Sequence, residues 1–127
     1  MDYIRIPESE LDVMQIVWDQ TEVLGGPVPR TVLEAEIDKV RPMAQTTLLT
    51  LVSRLVKRGV LKAEKNGRSS EYIPAISREE YLAQRSRDFI KKNCGGRMSV
   101  FASALTNSGL SRDEIEELRA LLAEDKL

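Results

Sequence analysis

A mainly α-helical fold carrying one small β-hairpin is predicted by three features of the sequence. Apolar residues recur at helical spacing in six separate stretches. An Asn66-Gly67 pair sits between two extended runs, the strongest short-range hairpin signal. Two Ser-x-x-Glu capping boxes, Ser77 to Glu80 and Ser111 to Glu114, open helices in the last third of the chain.

The elements follow in order. Residues 8–19 form an amphipathic helix with Leu11, Met14, Val17 and Trp18 on its inward stripe. Pro7 precedes it, and its first turn is acidic, which suits the positive end of the helix dipole. Gly25-Gly26-Pro27 breaks the chain. A second helix runs from about Pro29 to Val40 with Val32, Leu33 and Ile37 inward, and Arg41-Pro42 ends it. A third helix spans Gln45 to Arg58 and stops at Gly59, a residue suited to a left-handed cap. Val60–Lys65 and Arg68–Pro74 are the hairpin strands, with Asn66-Gly67 as the turn and Lys65 and Arg68 flanking it. Helix, helix, turn, helix and basic hairpin make a winged helix-turn-helix. Three more helices follow, bearing Leu82, Phe89 and Ile90, then Met98, Phe101 and Leu105, then Ile115, Leu118, Leu121 and Leu122. We therefore expect a winged helix-turn-helix domain over 1–76 and a helical region over 77–127. Three short helices cannot bury such stripes in so small a unit. The stripes either fold back on the first domain or meet a second copy. The second is expected, because DNA readers of this build usually work as symmetric dimers.

The third helix separates its chemistry by face. Leu48, Leu51, Val52 and Leu55 hold the core side, whereas Gln45, Thr46, Thr47, Thr50, Ser53, Arg54, Lys57 and Arg58 lie outward without one acid. An ordinary solvated helix mixes both signs. Glutamine and threonine match base edges in the major groove; Arg54, Lys57 and Arg58 match phosphates or guanine; Lys65 and Arg68 match phosphates beside the groove. Taken singly, each of these side chains has an ordinary reading as a cap or a solvated surface group. The joint pattern points to double-stranded DNA.

Charge distribution agrees. The 127 residues carry 19 basic and 20 acidic side chains, a net charge of −1. Residues 1–38 hold nine acids and two bases, whereas residues 39–68 hold eight bases and one acid, Glu64. A nearly neutral protein thus has a strongly electropositive middle. There is no histidine and only one cysteine, Cys94. That excludes His-dependent triads, His-ligated zinc, CxxC redox pairs and an intrachain disulfide, so no enzyme, metal or cofactor is expected. No apolar run reaches a membrane span, and Met1–Pro7 lacks the layout of a signal peptide, so a cytoplasmic protein is expected. Trp18 and the methionines read as packing residues, Cys94 as a small surface or interface residue, and Glu114, Glu116 and Glu117 as a solvated face. A small-ligand-controlled winged-helix regulator and a module for an acidic protein partner are the alternative readings.

The residues from Glu10 to Trp18 (ELDVMQIVW), from Thr47 to Gly59 (TLLTLVSRLVKRG), the wing Asn66-Gly67-Arg68 and the run Tyr72-Ile73-Pro74 together resemble the penicillinase and methicillin-resistance repressor family, also called BlaI/MecI/CopY. The resemblance covers nearly the whole chain. It implies a homodimeric winged-helix repressor on a palindromic operator, a C-terminal dimerisation region, and a link to antibiotic resistance. It also implies relief of repression by a membrane sensor protease, whose cut would fall by position near Ser103–Ala104. The Asn-Phe pair of the staphylococcal members is absent there. The paired cysteines of copper-responsive members are absent too, which speaks against copper sensing.

Overall fold

The chain orders its elements as α1 (Glu8–Leu24), β1 (Val28–Pro29), α2 (Arg30–Val40), α3 (Gln45–Lys57), β2 (Leu61–Asn66), β3 (Ser69–Pro74), α4 (Arg78–Asn93), α5 (Met98–Thr106) and α6 (Arg112–Glu124). These come from a computed structural model that describes residues 4–124. Met1, Asp2 and Tyr3, part of the N-terminal stretch read above, lie outside the described residues, as do residues 125–127 at the end of the helical region.

The winged-helix unit is built on one apolar cluster. Val13, Met14, Val17 and Trp18 of α1 meet Leu33 and Ile37 of α2, Leu48, Leu51, Val52 and Leu55 of α3, Val60 just before β2, and Leu61 and Tyr72 of the sheet. The periodic stripes read from the sequence supply half of it, with Leu11 and Val32 only partly buried against it. Trp18 also anchors the entry to α4: its Nε1 donates to the Ile76 carbonyl at 2.9 Å, and its ring lies 5.8 Å from that of Tyr81. The Tyr81 hydroxyl accepts from the Ile6 amide at 3.2 Å. Arg78 stacks over Trp18 at 5.5 Å and donates to the Gln15 side chain, the Gln15 carbonyl and Asp19.

Those contacts correct the expected boundary. The chain divides between Arg85 and Ser86 rather than between residues 76 and 77. The first turns of α4 belong to the winged-helix unit because Arg78 and Tyr81 are bound to α1 and the N-terminal segment.

The sheet holds three strands in the order β1-β3-β2, all antiparallel. β1 was not expected. Two residues carry no periodicity, and Val28 lies between two prolines that read as a break. The hairpin turn also shifts by one residue. Asn66 pairs with Ser69, so the loop is Gly67-Arg68, not Asn66-Gly67. Gly67 has φ of 66°, and no non-glycine among the described residues has positive φ, which is the type II′ pattern with glycine at the first loop position. Arg68 therefore sits in the tip itself.

α1 runs to Leu24, past the expected end at Asp19, because its break is Gly25, held left-handed at φ 72°. α3 ends as predicted. Gly59 (φ 80°) donates to Val56 O at 3.0 Å and Val60 to Leu55 O at 3.2 Å, the paired bonds of a Schellman motif.

The second unit contains the rest of α4 with α5 and α6. Both capping boxes form: the Ser77 and Glu80 side chains exchange bonds with each other's backbone amides, as do Ser111 and Glu114. Phe89 and Phe101 meet edge to face at 6.2 Å. No residue of α5 or α6 is buried. Cys94 corrects an expectation, being buried at 4% exposure and not at the surface. The chain turns around it, with the Cys94 and Gly96 amides both donating to the Ile90 carbonyl, and a free thiol packs as a small apolar group.

Candidate nucleic-acid interface

α3 is amphipathic in the sense the sequence required. Leu48, Leu51, Val52 and Leu55 face the core, while Gln45, Thr46, Thr47, Thr50, Ser53, Arg54, Lys57 and Arg58 are all exposed. The helix begins after Ala44, which offers no side-chain cap, so its first-turn amides are left for solvent or a ligand. Thr50 donates its hydroxyl to the Thr46 carbonyl at 3.0 Å. Its oxygen can then accept and its methyl stays outward, while donation is already committed. Val56, 39% exposed, adds an apolar spot next to Thr50, Ser53, Arg54 and Lys57 around a concavity of about 340 Å³.

The cations divide into two groups. Among the described residues, no carboxylate pairs with Arg54, Lys57, Lys65 or Arg68. Arg58 differs: its Nε donates to Glu10 Oε1 at 2.8 Å, and that hydrogen bond raises the guanidinium pKa further above its usual value, against the opposing effect of desolvation. Arg41, before α3, is held the same way by Asp12 at 2.6 Å, with Glu8 at 3.5 Å.

The wing sorts its charges by strand alternation. Lys65 pairs with Ser70 on the side of the sheet that carries Leu61 and Tyr72, whereas Glu64 and Glu71 oppose each other on the other side. Asn66 Nδ2 donates to Glu71 at 3.3 Å. Acid is thus kept off the face shared by Lys65.

A concavity of about 280 Å³ joins the wing to the helices. Arg68, Ser69 and Ser70 meet Gln45 and the start of α2, where Arg30 and Thr31 add a cation and a hydroxyl. Arg30 is paired with Glu34 at 3.5 Å. The sequence reading missed Arg30 and Thr31. Counting charge by segment placed Arg30 in the acidic first third, and only folding brings it beside Arg68.

Among the described residues no group of three or more acidic, His or Cys side chains could hold a metal ion, and no helix is long and apolar enough to cross a membrane. The proposed dimerisation residues lie on the surface of their own unit. Phe89, Met98, Leu121 and Leu122 are exposed, and Ile90, Phe101, Leu105, Ile115 and Leu118 are half-buried. Ser103 and Ala104 are exposed and lie within α5, where the Ser103 carbonyl accepts from the Asn107 amide and side chain and from Thr106.

An exposed acid-free helix, a three-stranded wing and an apolar cluster joining them define a winged-helix DNA-binding protein. Comparison with known proteins narrows the class. The profile of the penicillinase repressor family matches residues 6–124. A penicillinase repressor from Bacillus licheniformis is 31% identical over 123 residues, 96% of this chain and 92% of that protein. The methicillin resistance regulatory protein MecI of Mammaliicoccus sciuri is 30% identical over 119 residues, 93% of each. The solution structure of monomeric B. licheniformis BlaI bound to the blaP half-operator matches with a TM-score of 0.51 at 28% identity, covering 63% of this chain and 92% of that one. The isolated DNA-binding domain of the repressor BlaI matches at 0.50 and 29%, covering 61% and 92%. The chain belongs to the penicillinase repressor family, whose members are DNA-binding repressors and not enzymes.

Proposed function

We propose that this repressor acts in the cytoplasm as a homodimer on a palindromic operator, each protomer seating α3 in a major groove. One observation carries the reading: the outward face of α3 is exposed, free of acid, and bears cations that no carboxylate of the described residues neutralises. Gln45, Thr46, Thr47 and Thr50 stand where base edges would be read. Arg54 and Lys57 flank them further along the helix, and Lys65 and Arg68 approach the phosphates from the wing. The B. licheniformis relative bound as a monomer to a half-operator supports one protomer per half-site.

The dimer reading rests on the second unit. α5 and α6 have apolar stripes yet bury no residue of them fully within the protomer, as expected of surfaces completed by a second copy. Repression then follows from occupancy of promoter DNA that polymerase needs. A sensor protease cutting near Ser103–Ala104 would separate α6 from the rest and weaken the dimer, and with it the avidity of two linked half-site contacts. The helical bonds around Ser103 require α5 to open locally before such a cut.

Selecting bound duplexes from random-sequence DNA tests the proposal. Two inverted half-sites separated by a whole number of helical turns are expected. Enrichment of single or direct half-sites would refute the symmetric dimer, and absence of any enrichment would refute sequence reading by α3.

A further inference from the structure

The C-terminal end of α3 contains a bond whose purpose is not obvious from the interface alone. Glu10, in the first turn of α1, is 2% exposed, an unusual place for a carboxylate. Its carboxylate accepts from the Nε of Arg58 at 2.8 Å. The Arg58 side chain is itself 40% exposed. A guanidinium has five donors in a rigid plane, and this bond uses the one on Nε. Among the described residues no carboxylate or carbonyl is paired with either Nη group. Arg58 shares a shallow concavity of about 240 Å³ with Arg54 and Lys57, and no acid lines it.

We propose that Glu10 is a positioning residue for DNA binding: it fixes Arg58 through Nε, so that the Nη edge seats a backbone phosphate of its own beside those met by Arg54 and Lys57. The inference rests on the DNA-binding reading above. Arg58 is thereby both an internal partner and a DNA contact, and its freedom to rotate away is removed before binding, which is how preorganisation strengthens an interaction. Arginine is required because only a planar fork can be held by one nitrogen while presenting the others; a lysine at 58 has a single nitrogen for both tasks.

The alternative is that Arg58 merely neutralises a buried acid. The two accounts differ in sign. Removing Glu10 deletes a negative charge close to a polyanion, so simple electrostatics predicts tighter binding. Positioning predicts weaker binding. The experiment uses the full chain with Glu10→Met, which keeps the volume without an acceptor, and Glu10→Gln, which keeps an accepting oxygen without the charge. Binding is measured across a salt series on a duplex selected from random DNA and on an unrelated duplex. Glu10→Met is expected to bind both duplexes roughly tenfold more weakly, with the slope of log K against log salt shallower by about 0.9 per protomer, the signature of one lost phosphate contact. Glu10→Gln is expected to recover much of the loss, and Arg58→Lys to reproduce it, serving as the second route if Glu10→Met unfolds. Unchanged or tighter binding by folded Glu10→Met, with an unchanged slope, overturns the proposal. A wild-type chain that shows no salt-dependent binding to either duplex overturns the DNA reading itself, a distinguishable failure.

Discussion

Replacing Leu121 and Leu122 by alanine tests whether a second copy covers the C-terminal helices. Each residue is more than half exposed, 56% and 60%. Fully burying a leucine side chain is worth ~1.5–3 kcal/mol, so covering the exposed part of each contributes about 1–1.5 kcal/mol. A symmetric dimer contains each position twice, so four truncated side chains amount to roughly 4–6 kcal/mol. At 1.4 kcal/mol per factor of ten, dimer dissociation should rise by about three to four orders of magnitude. Sedimentation equilibrium over a wide concentration range reads that change directly. Unfolding of the winged-helix unit should not move, because neither leucine belongs to its apolar cluster. Dimerisation of the double variant as tight as wild type would refute the placement of the interface, and a wild-type chain monomeric at all concentrations would refute the dimer.

Thr47→Ala and Thr50→Ala should relax base preference with losses of about 1–3 kcal/mol on the selected duplex, if each contact is well formed. Thr50→Val separates the methyl from the hydroxyl: because that hydroxyl already donates to Thr46 O, valine should keep a preference based on the thymine methyl and lose one based on accepting. Unaltered preference in all three variants, measured by competition between single-base variants of the duplex, would show that another element reads the sequence. Tyr72 gives a pH prediction. Burial, the largest influence, pushes its phenol above the ordinary 10.0, with Glu34 adding to the rise and Arg30 opposing it. The folded state therefore holds this proton more tightly than the unfolded chain. The associated stability is complete below pH 10 and is lost as pH climbs through the folded value. Urea unfolding of Tyr72→Phe should lack that part of the alkaline decline, and identical slopes in the two proteins would sink the assignment.

The legible parts of this molecule were those specified by neighbours in the sequence. The stripe Leu48, Leu51, Val52 and Leu55 repeats at helical period, so it declared both the existence of α3 and its buried side. The capping boxes at Ser77 and Ser111 are four-residue patterns, and both form. What escaped depends on residues far apart. Glu10 and Arg58 are 48 positions apart, so nothing local marked Arg58 as different from Arg54. Arg30 joins Arg68 only when β1 pairs with β3, and β1 is too short to carry a pattern. The hairpin shows a subtler limit: Asn-Gly and Gly-Arg each suit a two-residue turn, and the strand register, not the dipeptide, decides between them. Cys94 was misplaced because composition says nothing about which side of a chain reversal is enclosed.

Charge segregation along the chain now has a second meaning. The acidic first third does more than offset the basic middle; part of it consumes that middle. Asp12 and Glu8 bind Arg41, Glu10 holds Arg58, and Glu36 pairs with Lys39 at 2.7 Å. Of the eight bases between residues 39 and 68, Arg54, Lys57, Lys62, Lys65 and Arg68 remain without a carboxylate partner among the described residues. Those five set a ceiling on phosphate neutralisation from this segment, raised to six if Arg58 contributes through its Nη groups. With about 0.9 of salt slope per phosphate, the ceiling is roughly 4.5–5.5 per protomer. Lys65→Ala should remove about 0.9 of that slope and weaken all sequences alike, because a phosphate contact carries no base information. Lys62→Ala should do less, since Lys62 lies on the side of the sheet that carries Glu64 and Glu71. An equal loss from the two lysines would mean that the wing approaches DNA tip-first with neither side preferred, and a slope well above the ceiling would mean that cations outside residues 39–68, Arg30 first among them, also reach the backbone.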